Sequence, residues 1–351
     1  MSEHLGERTE DAGTGIERVL LASPRGFCAG VEMSVKSLAW MLDAFGPPVY
    51  CYHEIVHNQR VVDRFTAMGV RFVDDLDEVP AGAPLMLSAH GSAPEVVGQA
   101  RALTPNVVDA VCPLVAKVHH EVVSRARDGH RIVYVGHKGH DEEMGTTALA
   151  PDAIEVVATA ADLPADDDGR PVAVLCQTTL SEDQYRPVED EARRRFGDVW
   201  VPRRSDRCFA TTNRQAAALS VAGRCDHFVI VGSPTSSNTM ALVEVVRAAG
   251  CADVQRVSAR AELRRGLSGT VGVTSGASAP EETVREVVGS LVGGDWGRVE
   301  EVVWGAEDEL FPAPPDLRRL HADLATRGAD VPSLDFVSDP EVSASSLLRM
   351  V

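Results

Sequence analysis

Long apolar runs are missing from this sequence of 351 residues, and no stretch could span a bilayer. Clustered positive charge is missing too. Thirty-four Lys and Arg stand against 52 Asp and Glu, a formal net charge of −18, and no basic run occurs. Binding to nucleic acid or to an anionic membrane surface relies on grouped Lys and Arg, so both are excluded. Aromatic residues are few, while Ala, Val and Gly are abundant, the balance of layered α/β folds. Three short motifs are absent. Without Cys-x-x-Cys there is no local zinc knuckle. Without a Walker loop a mononucleotide site is excluded, and without Gly-x-Gly-x-x-Gly after a strand so is direct nicotinamide binding. Met1 to Glu17 is polar and acidic and lacks the apolar centre of a signal peptide. A disordered leader over residues 1–18 and a cytoplasmic location are therefore expected. In that reducing compartment the seven cysteines are not expected to form a disulfide framework.

What is present is organised around Ser23-Pro24-Arg25-Gly26-Phe27-Cys28-Ala29-Gly30-Val31. The apolar run Val19-Leu20-Leu21-Ala22 enters this turn and a helical pattern leaves it. Cys28 thus sits before a helix N-terminus, where the helix dipole favours thiolate. An isolated cysteine in such a turn is as often simply a small buried hydrophobe. Two more cysteines repeat the setting. Cys112 follows Val107 to Val111 and precedes Pro113, and Cys208 precedes a helical stretch from Ala210 to Ala222. The three are 84 and 96 residues apart. Each opens a block of strand–helix alternation, which indicates three similar α/β domains in pseudo-threefold arrangement around a shared centre. The expected boundaries are 19–111, 112–207 and 208–303, the last with a closing strand, followed by a loosely docked tail over 304–351. Cys51, Cys176, Cys225 and Cys251 lie in or beside apolar segments and read as structural.

Polar motifs follow the strands, where open α/β sheets place their ligands. His57, His90 and His140 each stand in such a loop and could donate N–H groups to an anion. One loop histidine alone is more often a surface or capping residue; three in matching places are harder to dismiss. Thr178-Thr179, Ser236-Ser237-Asn238 and Ser278 repeat the theme with groups that cap helices and bind phosphate alike. Glu142 could supply a proton, although Asp141 and Glu143 beside it fit a solvated helix start equally well. Asn213-Arg214-Gln215 could support the Cys208 turn. Three dispersed cysteines could hold an iron–sulfur cluster with one iron left free of protein ligands.

Nine ordered motifs resemble the 4-hydroxy-3-methylbut-2-enyl diphosphate reductase family. They are Arg-Gly-Phe-Cys-Ala-Gly-Val at 25–31, His-Glu-Ile-Val-His-Asn at 53–58, Ser-Ala-His-Gly at 88–91, Cys-Pro-Leu-Val at 112–115 and Gly-His-Lys-Gly-His at 136–140. Gln-Thr-Thr-Leu-Ser at 177–181, Cys-Phe-Ala-Thr-Thr-Asn-Arg-Gln at 208–215, Ser-Ser-Asn at 236–238 and Gly-Ala-Ser-Ala-Pro at 276–280 complete the set. The resemblance implies one [4Fe–4S] cluster on Cys28, Cys112 and Cys208, whose open iron takes the substrate hydroxyl. It implies a diphosphate held by His57, His90, His140, Ser236, Ser237, Asn238 and Ser278. Glu142 and Thr178 would then serve the hydroxyl as proton relay. The implied reaction is reductive dehydroxylation to isopentenyl and dimethylallyl diphosphate, with a ferredoxin or flavodoxin as electron donor. The alternatives are a non-catalytic phosphometabolite-binding protein or a duplicate reductase in a specialised pathway. Asp141 stands where the family commonly has Pro, Glu143-Met144 where Val-Glu is common, and Phe209 where Tyr is frequent.

Overall fold

The computed structural model describes residues 15–165 and 168–348. The first block runs β1 (Gly15–Ser23), α1 (Ala29–Phe45), β2 (Val49–Tyr52), α2 (Gln59–Ala67), β3 (Val70–Val73), β4 (Leu85–Leu87), α3 (Pro94–Leu103) and β5 (Val107–Asp109). The second runs α4 (Pro113–Arg127), β6 (Arg131–Val135), α5 (Asp141–Thr147), β7 (Ile154–Val157), β8 (Val172–Cys176), α6 (Glu182–Arg195) and β9 (Val199–Trp200). The third runs α7 (Phe209–Ala222), β10 (His227–Val231), α8 (Ser237–Ala248), β11 (Val254–Val257), β12 (Ser268–Ser275), α9 (Glu281–Leu291) and β13 (Val299–Val303). The chain then adds α10 (Pro315–Thr326), α11 (Asp335–Ser338) and α12 (Ala344–Leu347).

The strands form three sheets, ordered β3-β2-β4-β5, β7-β6-β8-β9 and β11-β10-β12-β1-β13, in which the registered pairs are parallel. Parallel sheets are covered on both faces, which is why their strands read as continuous apolar runs rather than alternating ones. Each sheet accordingly carries two apolar clusters. Val133 and Val174 face one side of the second sheet, for example, and Ile132 and Leu175 the other. Three similar α/β units are thus present, as the sequence predicts. Among the described residues no helix is long and apolar enough to cross a membrane.

Two expected boundaries are corrected. The first strand begins at Gly15, inside the stretch read as a leader, whose residues 1–14 lie outside the described residues. This strand does not join the first sheet. It lies between β12 and β13, with Leu20 opposite Gly272 on one side and Glu300 on the other. The third sheet is therefore built from both ends of the chain, and residues 15–23 belong to it.

The second correction concerns residues 304–351. Leu317, Leu320, Val337, Ala344 and Leu348 are buried in one cluster with Val35, Leu38, Trp40 and Met41 of α1. Each fully buried side chain of this size contributes roughly 1.5–3 kcal/mol, so the tail is packed rather than loose. Polar groups fix its path. The Trp40 indole donates to the Pro332 carbonyl at 3.0 Å, buried Lys36 donates to the Asp339 carbonyl at 3.0 Å, and the Ala344 N–H donates to Glu32 at 2.7 Å. An apolar pattern all round α1 signals a helix covered on more than one side, and the tail supplies that cover.

Candidate functional site

The three cysteines share one local construction. Cys28, Cys112 and Cys208 are the N-cap residues of α1, α4 and α7. Each backbone N–H is held by a carbonyl from another loop of the site: Cys28 by Ala277 at 3.1 Å, Cys112 by Ala89 at 3.0 Å, Cys208 by Thr178 at 2.9 Å. The first two of those carbonyl residues immediately precede Ser278 and His90, and the third is itself a predicted site residue. Each sulfur is thus tied through backbone to a polar loop. Gly30 shows how tightly the thiols meet. A Cβ there would lie 2.8 Å from the Cys112 sulfur and 3.9 Å from that of Cys28, so only glycine fits between them.

All twelve residues expected to form the site line one cavity. The sheets deliver them from the C-terminal ends of their strands, His57 after β2, His90 after β4, His140 after β6, Thr178 after β8, Ser236 after β10 and Ser278 after β12. The cavity lining contains no Lys or Arg.

On one wall, Glu142 is 3% exposed and packs against Thr178. The Thr178 N–H donates to one carboxylate oxygen at 2.7 Å and its hydroxyl donates to the other at 2.9 Å. Burial pushes the carboxyl up to about 7 against the pull of these two bonds. A carboxyl held in this way is able to act as a general acid near neutrality. His140 caps α5, its Nδ1 accepting the Glu142 N–H at 3.1 Å. The ring proton therefore sits on Nε2, and burial holds His140 down at about 4, a neutral donor at pH 7. His57 and His90 stack with centroids 4.0 Å apart. Burial pushes His90 well below its ordinary value.

On the opposite wall the hydroxyls form a connected set. Ser236 caps α8, and Ser278 donates to the His57 carbonyl at 3.2 Å and lies 3.5 Å from Ser236. Thr179 donates to Ser237 at 2.8 Å. Asn238 accepts the Ala277 N–H at 2.9 Å and donates to Thr211 at 3.1 Å.

The thiols fit an iron–sulfur group by their chemistry. They are three soft donors at the base of an apolar-lined cavity. Burial pushes all three up, Cys208 to about 12, with the Arg214 charge drawing Cys28 back. Arg214 offsets burial only in part at Cys28 and Cys208, so a bound metal would release the thiol protons and supply the balancing charge. Cys51, Cys176 and Cys251 are buried elsewhere, as expected of structural cysteines.

A family model described as LytB protein matches residues 19–292. The chain belongs to the LytB family. Proteins named 4-hydroxy-3-methylbut-2-enyl diphosphate reductase from Leifsonia xyli subsp. xyli and Acidothermus cellulolyticus are each 44% identical to this LytB chain, over 310 and 317 residues. These alignments cover 87% and 89% of it and 92% of each relative. The structure of the E-1-hydroxy-2-methyl-but-2-enyl-4-diphosphate reductase from Plasmodium falciparum superposes with a TM-score of 0.82 at 29% identity, covering 89% of this chain and 99% of that one. The resemblance carried by the nine motifs is borne out.

The structure adds Thr211, Phe311 and Asp141 to this LytB site and shows the partners of Arg214 and Asn213, which the sequence had already set beside the Cys208 turn. Thr211 donates its N–H to the Cys208 sulfur at 3.2 Å and places its hydroxyl 2.9 Å from it. Its place at the third helical position after a cysteine cap is the signal that could have found it. Phe311, in the tail, lines the cavity and meets Phe209 edge-on at 6.3 Å. Arg214 is 1% exposed, donates to the Gly26 carbonyl at 2.9 Å and pairs with Glu307 of the tail at 2.9 Å. Asn213 reaches the same carboxylate at 3.1 Å. Asp141 stands among the histidines, its Oδ1 3.1 Å from His53 Nδ1. Burial works to raise its carboxyl, yet the His53 hydrogen bond and the histidines hold it down at about 2.

Proposed function

We propose that this chain catalyses the reductive dehydroxylation of 4-hydroxy-3-methylbut-2-enyl diphosphate, with its cluster on Cys28, Cys112 and Cys208. The observation that carries the reading is the single cavity lined by three half-buried cysteines, three histidines, the hydroxyl groups and the hydrogen-bonded Glu142–Thr178 pair. The net change consumes two electrons and two protons, breaks the allylic C–O bond, and releases water with isopentenyl or dimethylallyl diphosphate. A [4Fe–4S] cluster held there supplies the electrons, received from a ferredoxin or flavodoxin in the cytoplasm.

The chain's own groups do the rest. His57, His90 and His140, with Ser236, Ser237, Asn238 and Ser278, bind the diphosphate and set the direction in which the allylic arm enters. Thr178 meets the hydroxyl end. Protonated Glu142 passes its proton through the Thr178 hydroxyl to the departing oxygen, which leaves as water. The apolar lining and Phe311 limit water around the reduced carbon skeleton.

Anaerobic purification with iron and sulfide analysis, followed by assay of the diphosphate substrate with a chemical reductant, tests this reading. Near four irons per chain and product formation are expected. A colourless protein after anaerobic reconstitution, or a loaded one without turnover, overturns it. Glu142→Gln is expected to keep the iron and lower kcat by at least about a hundredfold, the usual contribution of a positioned acid. Undiminished turnover would remove Glu142 from the proton path.

A further inference from the structure

We propose that Arg214 and Glu307 form a buried charge pair that sets the reduction potential of the group held on Cys28 and Cys208, with the tail supplying the negative half. The proposal rests on the cluster assignment made above and is independent of which substrate the cluster reduces.

Three observations carry it. First, the guanidinium stands between two of the sulfur corners. It donates to the Gly26 carbonyl at 2.9 and 3.3 Å, two residues before Cys28, and to the Ala210 carbonyl at 3.0 Å, two residues after Cys208. Second, its counter-charge comes from the tail. Glu307 accepts from Arg214 at 2.9 and 3.0 Å and from Asn213 at 3.1 Å, and its side chain is 9% exposed. The Trp304 N–H donates to the Ser23 carbonyl at 2.9 Å, so this stretch of tail is tied to the same turn that carries Cys28. Third, both charges reach the sulfurs. Arg214 draws the Cys28 and Cys208 thiols down against burial, while Glu307 pushes Cys28 up.

Stability alone does not call for charges here. A buried ion pair is often worth no more than apolar side chains that fill the same volume. What the pair supplies is fixed charge in a poorly screened place, and local charge is one of the levers on the potential of an iron–sulfur group. Arg214 favours the reduced, more negative state, and Glu307 opposes it. The tail thus moderates the cluster as well as covering α1.

The test uses the full-length, cluster-loaded protein in an anaerobic spectroelectrochemical titration. Glu307→Gln keeps the shape of the side chain and an oxygen for Arg214 but removes the charge. It is expected to raise the ratio of reduced to oxidised cluster at a fixed potential at least about fivefold, which is about 40 mV for a one-electron couple. Arg214→Gln is expected to move the ratio as far in the opposite direction. Opposed signs are the mark of charge. A merely structural pair would lower iron content and melting temperature in both variants and leave the potential of the loaded fraction alone. The double variant leaves neither charge buried without its partner, which guards against a folding defect in Arg214→Gln, and its potential is expected between those of the single variants. Glu307→Asp is expected to restore the wild-type potential. Glu300→Gln, at an exposed carboxylate on β13 paired with Arg18 and Arg224, is expected to change nothing. An unchanged potential in Glu307→Gln, or shifts of one sign in both single variants, overturns the proposal. A protein that takes up no cluster overturns it together with the cluster assignment. A loaded protein with the opposed shifts but no turnover defeats the reductase reading alone, and one that turns over with unshifted variants defeats this proposal alone.

Discussion

The Cys112 and Cys208 corners of the cavity follow one backbone plan and differ around the sulfur. Both cysteines cap a helix, and both give their N–H to a carbonyl of a neighbouring polar loop. At Cys208 the sulfur receives two hydrogen-bond contacts from Thr211, which is itself held by Asn238 of the hydroxyl wall. Among the described residues no side-chain hydrogen bond of this kind reaches the Cys112 sulfur; the space beside it is left free by the missing Cβ of Gly30. The position of each sulfur and its electronic surroundings are therefore set by separate parts of the chain. The helix caps fix where the sulfurs stand, and single side chains adjust how each behaves.

The shared plan is broken most severely at the sulfurs. Cys112→Ser and Cys208→Ser are each expected to lose most bound iron and all measurable activity, while Cys176→Ser keeps both; iron and sulfide analysis after anaerobic purification reads the difference. Equal iron in Cys112→Ser and wild type would mean that the corners are not equivalent ligands.

Crowding should separate the corners next. Gly30→Ala puts a methyl group 2.8 Å from the Cys112 sulfur, inside contact distance. A cost of about 1–3 kcal/mol is expected from such overpacking, read as a lower melting temperature with reduced iron content.

Thr211→Val acts on the Cys208 corner and leaves the Asn238 amide without the hydroxyl it donates to. It removes a hydroxyl from the sulfur and leaves the packing volume nearly unchanged. One net hydrogen bond of about 1 kcal/mol corresponds to about 40 mV for a one-electron couple. The reduction potential is expected to fall by that order, with iron content unchanged, in a spectroelectrochemical titration.

A pH-dependent effect, absent near neutrality, belongs to the Cys112 helix. His119 is pushed down to about 4 by burial, and its Nε2 has no partner. Between about pH 6.5 and 4 the unfolded chain binds a proton there that the folded chain refuses, so stability falls as the solution is acidified. The loss is at most about 3 kcal/mol over that window. His119→Gln is expected to flatten this part of the stability–pH curve in urea denaturation.

Much of this was legible in the sequence because parallel strands and glycine-flanked turns leave local marks. The turns of Cys28, Cys112 and Cys208 and the loops of His57, His90 and His140 were placed by patterns within a few residues of each. What escaped depends on partners far along the chain. Nothing in Val19 to Ala22 says that its neighbours are β12 and β13, since a strand buried on both faces looks alike in any sheet. The tail carries too few apolar residues, spread among Asp and Pro, to announce a packed segment. The one mark of it, the apolar residues all round α1, went unread in the sequence. Asp141 could be named as a departure, but its convergence with two histidines from different loops is a property of space alone.

The place of β1 has a consequence for how the protein is made. Cys28 is the earliest of the three cysteines to leave the ribosome and the last to be secured. Its N–H partner is Ala277, and its strand needs both β12 and β13 as neighbours. At roughly 5–20 residues per second, synthesis leaves that thiol without its final partner until about 250 further residues have emerged. The corner that holds Cys28 is thus completed only after about four-fifths of the chain has been made (277 of 351 residues), long after the Cys112 corner, whose partner Ala89 precedes it.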